Sequence, residues 1–313
     1  MNVLVSGGAG FIGSHIVDAY IDAGHEVTIV DNMTTGAEAN INPRAEMHVV
    51  DIRDRDAIDA LFDAKPYDLV NHHAAQLDVR VSVRDPQFDA AQNVIGSLNL
   101  FEAARRTGVK RIVFASTGGA VYGEQEYFPA DENHPTNPIS PYGVTKLSVE
   151  KYLHYYHTVH GIDTLIFRYT NVYGPRQNPH GEAGVIAIFC DRMVRGAQPV
   201  INGDGGQTRD YLFVEDLVRA HMLGLDYLAA KGSGTFNLCT ATETTVNELF
   251  HILDDLLGGS FLEQHAPAQP GEQRRSVCSY QKAKQILGWS PVVSVAEGLR
   301  RTVDPNGTRI YKD

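Results

Sequence analysis

The sequence predicts an α/β protein built on a doubly wound parallel sheet, with a smaller and less regular α/β region on its C-terminal side. Short apolar runs alternate with helical stretches through the first 172 residues, and a glycine-rich turn joins the first run to the first helix. Beyond residue 172 glycine and proline become frequent and the elements shorten. We therefore expect one domain in 1–172, to which some later segments return, a second in 173–303, and a loose tail in 304–313.

Six runs rich in apolar and β-branched residues are the predicted strands of the first domain. In order they are NVLVSG, EVTIVD, AEMHVVDI, YDLVNHHAA, RIVFAST and DTLIFRYTN. The stretch FIGSHIVDAYIDAG reads as an amphipathic helix that Gly24 ends, and residues 86–107 and 141–160 are expected to be helical as well. Strands that alternate with helices in this way run parallel in one sheet.

Composition excludes several classes of protein. The net charge is -11, and the 27 basic residues are scattered without a run, so neither a nucleic-acid surface nor an anionic membrane surface is expected. No apolar run reaches the roughly 18 residues of a membrane span, and the N-terminus runs straight into a strand rather than a signal peptide. Cys190, Cys239 and Cys278 are odd in number and lack CxxC spacing, which fits a reducing cytoplasm and unpaired thiols.

The stretch SGGAGFIGSH lies between the first strand and the first helix. Its glycines can be read as Gly8-x-Gly10-x-x-Gly13 or as Gly7-x-x-Gly10-x-x-Gly13. Glycine permits a tight turn, close approach of a pyrophosphate to the backbone, and close packing of the helix on the strand. The helix N-terminus then offers free N–H groups and a positive dipole end to the phosphates. In this context the pattern indicates a dinucleotide site.

Two carboxylates refine that prediction. Asp31 ends the second strand, 18 residues after Gly13, where a carboxylate would accept bonds from an adenosine ribose. It would repel a 2′-phosphate, so NAD is favoured over NADP. Asp51, in VVDIR, has two possible roles that the sequence leaves open. It could bond the adenine amino group, with Ile52 covering the ring, or it could cap the helix that follows.

The stretch SPYGVTK places Tyr142 and Lys146 one helical turn apart, just after Pro141, which suits the first turn of a helix. A free tyrosine has a pKa of about 10, too high for a base at neutral pH. An adjacent ammonium favours the phenolate and so builds a general base. The hydroxyl pair Ser116 and Thr117 ends the fifth strand, at the edge where such sheets bind ligands, and a threonine there would complete the set.

The adjacent histidines His72 and His73 invite comparison with a metal site. Neighbouring residues on a strand point to opposite faces of the sheet, and no paired His/Cys ligand spacing occurs elsewhere. We therefore expect no metal.

Eight motifs are specific in combination: GGAGFIG, DNMTTG, HHAAQ, FASTGGAVYG, SPYGVTK, RYTNVYGPRQ, GDGGQTRDYLFVEDL and PGEQRRS. On these the chain, over about residues 1–303, resembles the extended short-chain dehydrogenases/reductases, and within them the nucleotide-sugar 4-epimerases of the UDP-galactose (UDP-glucose) type. The resemblance implies a Rossmann-type sheet that binds NAD in 1–172 and a UDP-sugar-binding domain in 173–303. It also implies a homodimer in which helices 86–107 and 141–160 pair with their symmetry mates.

The resemblance assigns site residues by matching positions. The pyrophosphate would be held by Gly7, Gly10, Phe11, Ile12 and Gly13. The adenosine ribose would contact Asp31, Asn32, Thr35 and Gly36, and the adenine Asp51 and Ile52. The rest of the cofactor would be lined by Ala74, Ala75, Gln76 and Tyr169, with Asn93 supporting the strand ends. The catalytic set would be Thr117, Tyr142 and Lys146. The substrate would meet Ser116, Asn171, Arg209, Arg274 and Ser276, the two arginines on its diphosphate, since arginine suits bidentate phosphate contact.

One local feature separates the chemistries of this family. Related dehydratases carry an Asp-Glu pair directly after the catalytic threonine, where this chain has Gly118 and Gly119. Without those carboxylates, elimination lacks its proton donor and acceptor. The resemblance therefore implies reversible oxidation at C4 through a transient 4-keto sugar. A UDP-glucuronate 4-epimerase or decarboxylase, a reductase and a non-catalytic NAD-binding regulator remain as alternatives.

Substrate breadth depends on one position in the resembled epimerases. A tyrosine on the wall of the sugar pocket admits only plain hexoses there, and a small residue also admits N-acetyl sugars. Matching between Gly271 and AKQILGW puts Ser276 at that position, and its neighbours Arg275 and Val277 are not tyrosine either. We therefore expect activity on UDP-N-acetylglucosamine as well as UDP-glucose. The alternative is that Ser276 only faces a strand neighbour and another side chain closes the pocket.

Overall fold

The computed structural model describes residues 1–179, 184–268 and 273–303. The tail predicted in 304–313 and the anchor Gly271 lie outside these residues. Within the described ranges, no helix combines the length and the apolar character that crossing a membrane requires.

The strands are numbered in chain order. They are β1 (Asn2–Ser6), β2 (Glu26–Asp31), β3 (Glu46–Val49), β4 (Leu69–His72), β5 (Arg111–Thr117), β6 (Asp163–Tyr169), β7 (Asn171–Tyr173), β8 (Ile201–Asn202), β9 (Thr208–Arg209), β10 (Tyr211–Phe213), β11 (Gly234–Leu238), β12 (Thr244–Thr245), β13 (His265–Ala266) and β14 (Arg275–Ser276).

The α-helices are numbered in the same way. They are α1 (Phe11–Asp22), α2 (Arg55–Ala64), α3 (Val79–Arg84), α4 (Pro86–Ala90), α5 (Gly96–Thr107), α6 (Pro141–His160), α7 (Val185–Val194), α8 (Val214–Lys231), α9 (Val246–Leu256), α10 (Gln281–Leu287) and α11 (Val295–Thr302). A 3₁₀ turn covers Glu38–Asn40, and a π-helical segment covers Ala91–Ile95 between α4 and α5.

A seven-stranded parallel sheet in the order β11-β6-β5-β4-β1-β2-β3 is the centre of the fold, which confirms the predicted fold class. The strand order reverses between β1 and β4, and ligands of such sheets bind at the carboxyl ends of the strands near this point. Two apolar layers cover the sheet. One packs α1 and α8 against its first face, with Ile16, Phe167 and Trp289 fully buried, and the other packs α2, α5 and α6 against the opposite face.

Helix α6 has the bounds that the sequence predicts. The Ser140 side chain accepts a hydrogen bond from the Gly143 amide, Pro141 occupies the first helical position, and Gly161 ends the helix in a left-handed conformation. The helical stretch predicted over 86–107 is also present, as α4, the π-helical segment and α5 in direct succession.

The C-terminal part of the chain forms small sheets and a third apolar cluster. Strand β7 pairs with β10, β8 pairs with β13, and β9 lies between β12 and β14. Helices α7, α9 and α11 enclose the cluster, whose buried residues include Phe189, Phe250 and Leu299. Strand β11 instead returns to the central sheet, where it pairs with β6.

Candidate active site

The glycine-rich turn after β1 fits a ligand by its lack of side chains. Gly7 has φ +73°, and a Cβ atom built on it would lie 2.6 Å from the Ala74 amide nitrogen. A Cβ on Gly13 would lie only 2.1 Å from the Gly7 carbonyl oxygen, so α1 packs against the turn only because residue 13 is glycine. No described side chain caps α1 at Gly10, which leaves first-turn amides for an anion.

Asp31 ends β2 next to this turn. Its buried carboxylate accepts hydrogen bonds from the Ala9 amide at 3.1 Å and from the Met33 amide at 2.9 Å. A Cβ atom on Gly36 would lie 3.0 Å from the Asp31 carboxylate, so the loop that follows β2 closes over the strand end. This loop exposes Thr35 at the surface.

Asp51 is held by neighbours rather than by the helix that follows it. Arg53 donates from Nη2 at 2.7 Å and Asn32 donates from Nδ2 at 3.1 Å, and the bond to Arg53 is the main reason why the pKa of Asp51 falls to about 2. Helix α2 is capped by Asp54, so the alternative that Asp51 caps it is wrong. Ile52 is buried against α5, where a Cβ on Gly96 would lie 2.6 Å from it.

Tyr142 and Lys146 lie on the first turns of α6, with the lysine side chain buried. Lys146 Nζ donates to the Ala115 carbonyl oxygen at 3.0 Å and lies 5.9 Å from the centre of the Tyr142 ring. Burial lowers the pKa of Lys146 to about 8, against the opposing charges of Asp89 and Glu150. The structure thus brings an ammonium beside the phenol at the carboxyl end of β5.

The predicted hydroxyl pair at the end of β5 divides between two environments. The buried Ser116 hydroxyl donates to Glu150 Oε1 at 2.5 Å, whereas Thr117 is half-buried beside the glycines that follow. A Cβ atom on Gly119 would lie 3.8 Å from Thr117 Oγ1 and 3.9 Å from Asn171 Oδ1, which places these two side chains around one point. Ser116 therefore binds Glu150 at the strand end, and its contact with substrate stays a prediction.

Gly118 is closely surrounded where a side chain would begin. A Cβ atom built there would lie 3.2 Å from Cys278 Sγ and 3.4 Å from the Arg168 and Tyr169 carbonyl oxygens. A side chain at residue 118 would therefore require Cys278 to move by a few tenths of an ångström. The two residues after Thr117 supply no carboxylate to the site.

The loop after β4 is fixed by a closed set of amide bonds. Asn93, in the π-helical segment, accepts from the Gln76 amide at 2.8 Å and donates to the Gln76 carbonyl at 3.0 Å. The Gln76 side chain donates to Asp89 at 2.9 Å. Both side chains are thereby used within the protein, so they hold the loop of Ala74 and Ala75 in place, while contact with a cofactor stays a prediction.

His72 and His73 face opposite sides of the sheet, as the strand period predicts. His72 bonds Ser6 Oγ at 2.6 Å and Ser97 Oγ at 2.7 Å, and His73 stacks on Tyr169, whose hydroxyl bonds His221 at 2.6 Å. Burial holds the pKa of His72 well below its ordinary value and lowers that of His73 to about 3. Among the described residues, no three His, Cys, Asp or Glu side chains are placed to hold a metal ion.

The second region brings distant residues together through β9. Arg209 in β9 lies opposite Ser276 in the parallel pairing of β9 with β14, and Ser276 is buried. Arg274, one residue before β14, is exposed and makes a bidentate pair with Asp204, at 2.7 Å from Nη1 and 3.0 Å from Nη2. The two arginines thus flank one short pair of strands, although the guanidinium of Arg274 is already paired with the Asp204 carboxylate.

The three cysteines are free and buried.

Two carboxylates near Lys146 were not singled out from the sequence. Asp89 is fully buried between α4 and α6, and Glu150 is buried one turn after Lys146. An acidic residue on an amphipathic helix usually faces solvent, so composition gives no signal for either. The spacing of Asp89 from Asn93, one helical turn, is visible only once the role of Asn93 is known.

Comparison with known proteins gives a consistent result. The NAD dependent epimerase/dehydratase family matches residues 3–239. A putative UDP-glucose 4-epimerase of Methanocaldococcus jannaschii is 46% identical over 302 residues, which cover 96% of this chain and 97% of the relative.

Three solved structures agree over nearly the whole chain. UDP-glucose 4-epimerase of Thermotoga maritima, with UDP-glucose, has a TM-score of 0.94 at 46% identity and covers 98% of both chains. The Thermus thermophilus UDP-glucose 4-epimerase complex with NAD has a TM-score of 0.92 at 42% identity, covering 99% of this chain and 100% of the other. A UDP-N-acetylglucosamine 4-epimerase of Methanobrevibacter ruminantium, in complex with UDP-N-acetylmuramic acid, has a TM-score of 0.90 at 35% identity and covers 97% of both. The chain therefore belongs to the NAD-dependent epimerase/dehydratase family.

Proposed function

We propose that this protein catalyses the NAD-dependent epimerisation of a UDP-hexose at C4, interconverting UDP-glucose and UDP-galactose. The observation that carries the proposal is the buried Lys146 ammonium beside the Tyr142 ring, at the sheet edge where Thr117 ends β5. Relatives that are named UDP-glucose 4-epimerases over nearly the full length of this chain support the same substrate class.

The residues around the glycine turn fit NAD. The contact distances at Gly7 and Gly13 leave a backbone cradle without side chains, and α1 presents uncapped amides to it. Asp31 would receive the adenosine ribose and exclude a 2′-phosphate. Held by these residues, NAD would supply the hydride acceptor and donor that reversible oxidation at C4 of the sugar requires.

The chain's own residues then account for the proton transfer. Tyr142, as phenolate, would take the proton of the 4-hydroxyl group, since the adjacent ammonium of Lys146 favours the anionic form. Thr117 Oγ1 would hydrogen-bond the same sugar oxygen and relay its proton. Gly118 and Gly119 supply no carboxylate, so no water is eliminated. Arg209 and Arg274 would hold the diphosphate while the sugar rotates to present its opposite face between the two hydride transfers.

Substrate breadth is part of the proposal. Ser276 is small, buried and paired with Arg209, so it lies next to the expected diphosphate site. A serine leaves room that a phenol ring would fill, and we propose that UDP-N-acetylglucosamine is accepted as well. The likeness to the Methanobrevibacter ruminantium enzyme, which is named for that sugar, supports this candidate.

The decisive experiment incubates the purified protein with UDP-glucose, without added cofactor, and follows the product by the anomeric proton NMR signals. An epimerase that retains NAD gives UDP-galactose. A UDP-glucuronate decarboxylase or epimerase acts only when UDP-glucuronate is supplied, a reductase requires added NADH or NADPH, and a non-catalytic regulator leaves every sugar unchanged. Any of the last three results would replace the proposal.

We also propose a homodimer that forms through 86–107 and 141–160. Val144, Tyr152, Tyr155 and Val159 are exposed and recur on one face of α6, and Phe88 and Ile95 are exposed on the neighbouring helical stretch. Apolar surface on a helix that already covers a sheet favours a partner.

The division of labour between the two regions is proposed in the same way. Residues 1–172, with β11 returning to the sheet, would bind NAD, and residues 173–303 would bind the UDP-sugar. With a net charge of -11, we expect no nucleic-acid or membrane partner. The partners would be a UDP-sugar and a second copy of the chain, and we expect the protein in the cytoplasm.

A further inference from the structure

Asp89 is a fully buried carboxylate whose hydrogen-bond partners are all uncharged. Oδ1 accepts from Gln76 Nε2 at 2.9 Å and from Asn93 Nδ2 at 3.0 Å, and Oδ2 accepts from Thr145 Oγ1 at 2.8 Å. Buried charges are costly in proteins unless an opposite charge lies near. Lys146 directly follows Thr145 on α6 and is itself buried, and its charge interacts with that of Asp89.

A second carboxylate approaches the same lysine, but its charge is already matched. Glu150 accepts from Arg168 Nε at 3.0 Å and from Arg168 Nη2 at 2.6 Å, a bidentate pair in which both side chains are buried. The opposite charges of that pair largely cancel at a distance. The Asp89 carboxylate has no such partner among its hydrogen bonds, and of the two opposing charges it has the larger effect on the Lys146 ammonium.

We propose that Asp89 is a positioning residue for the reaction: its buried negative charge keeps Lys146 in the ammonium form, and its bond to Thr145 fixes the turn of α6 that carries Tyr142 and Lys146. The proposal rests on the proposed function, because it explains how a lysine removed from water can still favour a tyrosine phenolate. Burial alone drives an ammonium toward the neutral amine and so lowers its pKa. The charge of Asp89 is the largest of the effects that raise the pKa of Lys146.

Of the other titratable groups near Lys146, Glu150 alone also provides an opposing charge, and its effect is smaller than that of Asp89. His72, on β4, and His73, just beyond it, are held in the neutral form by burial, and their pKa values lie below the ordinary value. Tyr142 is the group to be activated. Glu150, on α6, forms its bidentate pair with Arg168 of β6, which reduces its effect on Lys146.

The first test is kinetic and uses Asp89→Asn, which keeps the shape of the side chain and removes the charge. The control is Asp85→Asn, an exposed residue one turn earlier whose capping bond to the Phe88 amide an asparagine preserves. We expect the alkaline limb of the kcat profile, where Lys146 loses its proton, to move to lower pH by about one unit or more in Asp89→Asn. It should stay in place in Asp85→Asn. If the alkaline limb of the kcat profile lies at the same pH in the two variants, the proposal is wrong.

The second test needs no activity. Below the pKa of Lys146 its ammonium is present and Asp89 stabilises the fold, whereas above that pKa the interaction is absent. The loss of Tm caused by Asp89→Asn, relative to Asp85→Asn, should therefore be larger near pH 7 than near pH 9.5, values on either side of about 8. In a Lys146→Met background the loss of Tm should be the same at both pH values.

The two tests separate the failure of this proposal from the failure of the proposed function. A protein inactive on every UDP-sugar still reports the coupling of Asp89 to Lys146 through Tm. A loss of Tm that does not depend on pH in the Lys146 protein means that Asp89 acts only as a structural acceptor. If Asp89→Asn does not fold, Asp89→Ser, which keeps a hydroxyl for Thr145, is compared in the same two assays with the same expected results.

Discussion

Ser276 lies opposite Arg209 in the parallel pairing of β14 with β9, so a residue near the C-terminal end of the chain shares a strand pair with an expected diphosphate ligand. Each strand is two residues long, and together with β12 they form a three-stranded sheet. The pairing fixes the position of Ser276 relative to Arg209 through the backbone rather than through a loop conformation. If Arg209 binds the diphosphate as proposed, side-chain size at residue 276 should affect which sugars are accepted.

Replacing Ser276 by tyrosine tests whether the side chain at residue 276 limits which UDP-sugars are accepted. We expect Ser276→Tyr to retain activity on UDP-glucose and to lose activity on UDP-N-acetylglucosamine, because the ring would fill the space of the acetamido group. Turnover of both sugars is measured for the wild type, for Ser276→Tyr and for Ser276→Ala, which should keep both activities. If the wild type rejects the N-acetyl sugar, or if the tyrosine changes neither activity, another residue limits the pocket.

The general base is tested by Tyr142→Phe. Removing the hydroxyl should lower kcat at least about a hundredfold, since proton transfer at the 4-hydroxyl group loses its acceptor. The NAD content of the purified variant and its Tm should stay near the wild-type values. Tyr155→Phe, on the exposed face of the same helix, is the matched control. Near-normal turnover in Tyr142→Phe would remove Tyr142 from the mechanism.

The diphosphate contact is tested by Arg209→Met. We expect KM for UDP-glucose to rise about tenfold to a hundredfold, the usual effect of losing charge-assisted hydrogen bonds. Arg275→Met is the control, because Arg275 pairs with Glu243 at 2.7 Å and stacks on Phe128 at 4.0 Å. Steady-state kinetics on the three proteins decide the matter, and equal KM values would contradict a role for Arg209 in nucleotide binding.

Lys146 should make folding stability depend on pH. The folded-state pKa of Lys146 is about 8, below the ordinary value of 10.5, so between these values the unfolded chain binds more protons and stability rises with pH. The advantage of Lys146→Met over the wild type should therefore be largest below pH 8 and shrink toward pH 10.5. Urea unfolding at several pH values measures it. A constant difference would show that Lys146 keeps its ordinary pKa in the fold.

Assembly is tested on the exposed face of α6. Val159 is 60% exposed, and a lysine there should separate a dimer that packs this helix against its symmetry mate. We expect a dimer mass for the wild type and a monomer mass for Val159→Lys by light scattering at micromolar concentration. Lys284→Glu, at an exposed position of α10 on the other side of the sheet, should remain dimeric. A monomeric wild type would refute the interface.

Much of the fold follows from local signals. Helix α6 starts and ends where a capping serine, a proline and a left-handed glycine place it, because each of these residues acts on its own turn. The central strands are continuous apolar runs, as expected for a parallel sheet that is covered on both faces. The glycine turn was recognisable because its chemistry depends on spacing within ten residues.

The parts that the sequence did not predict depend on contacts between distant residues. Strands of two residues, such as β9 and β14, are too short for any period to appear. The capping role considered for Asp51 belongs to Asp54, and both carboxylates precede the same helix, so local chemistry did not separate them. Ser116 and Thr117 are both hydroxyls at a strand end, and the sequence did not predict that Ser116 binds the buried Glu150.

Strand β11 has a consequence for how this protein could be recombined with others. Although it follows the first domain by more than sixty residues, it covers the flank of β6, and the family match ends at residue 239, one position after β11. A fragment cut at residue 172 would expose the unpaired peptide groups of β6 and would be prone to pair edge to edge with another copy. Residues 1–172 therefore do not form a unit that can be exchanged alone, and a chimera that replaces the C-terminal region must keep β11 with the central sheet.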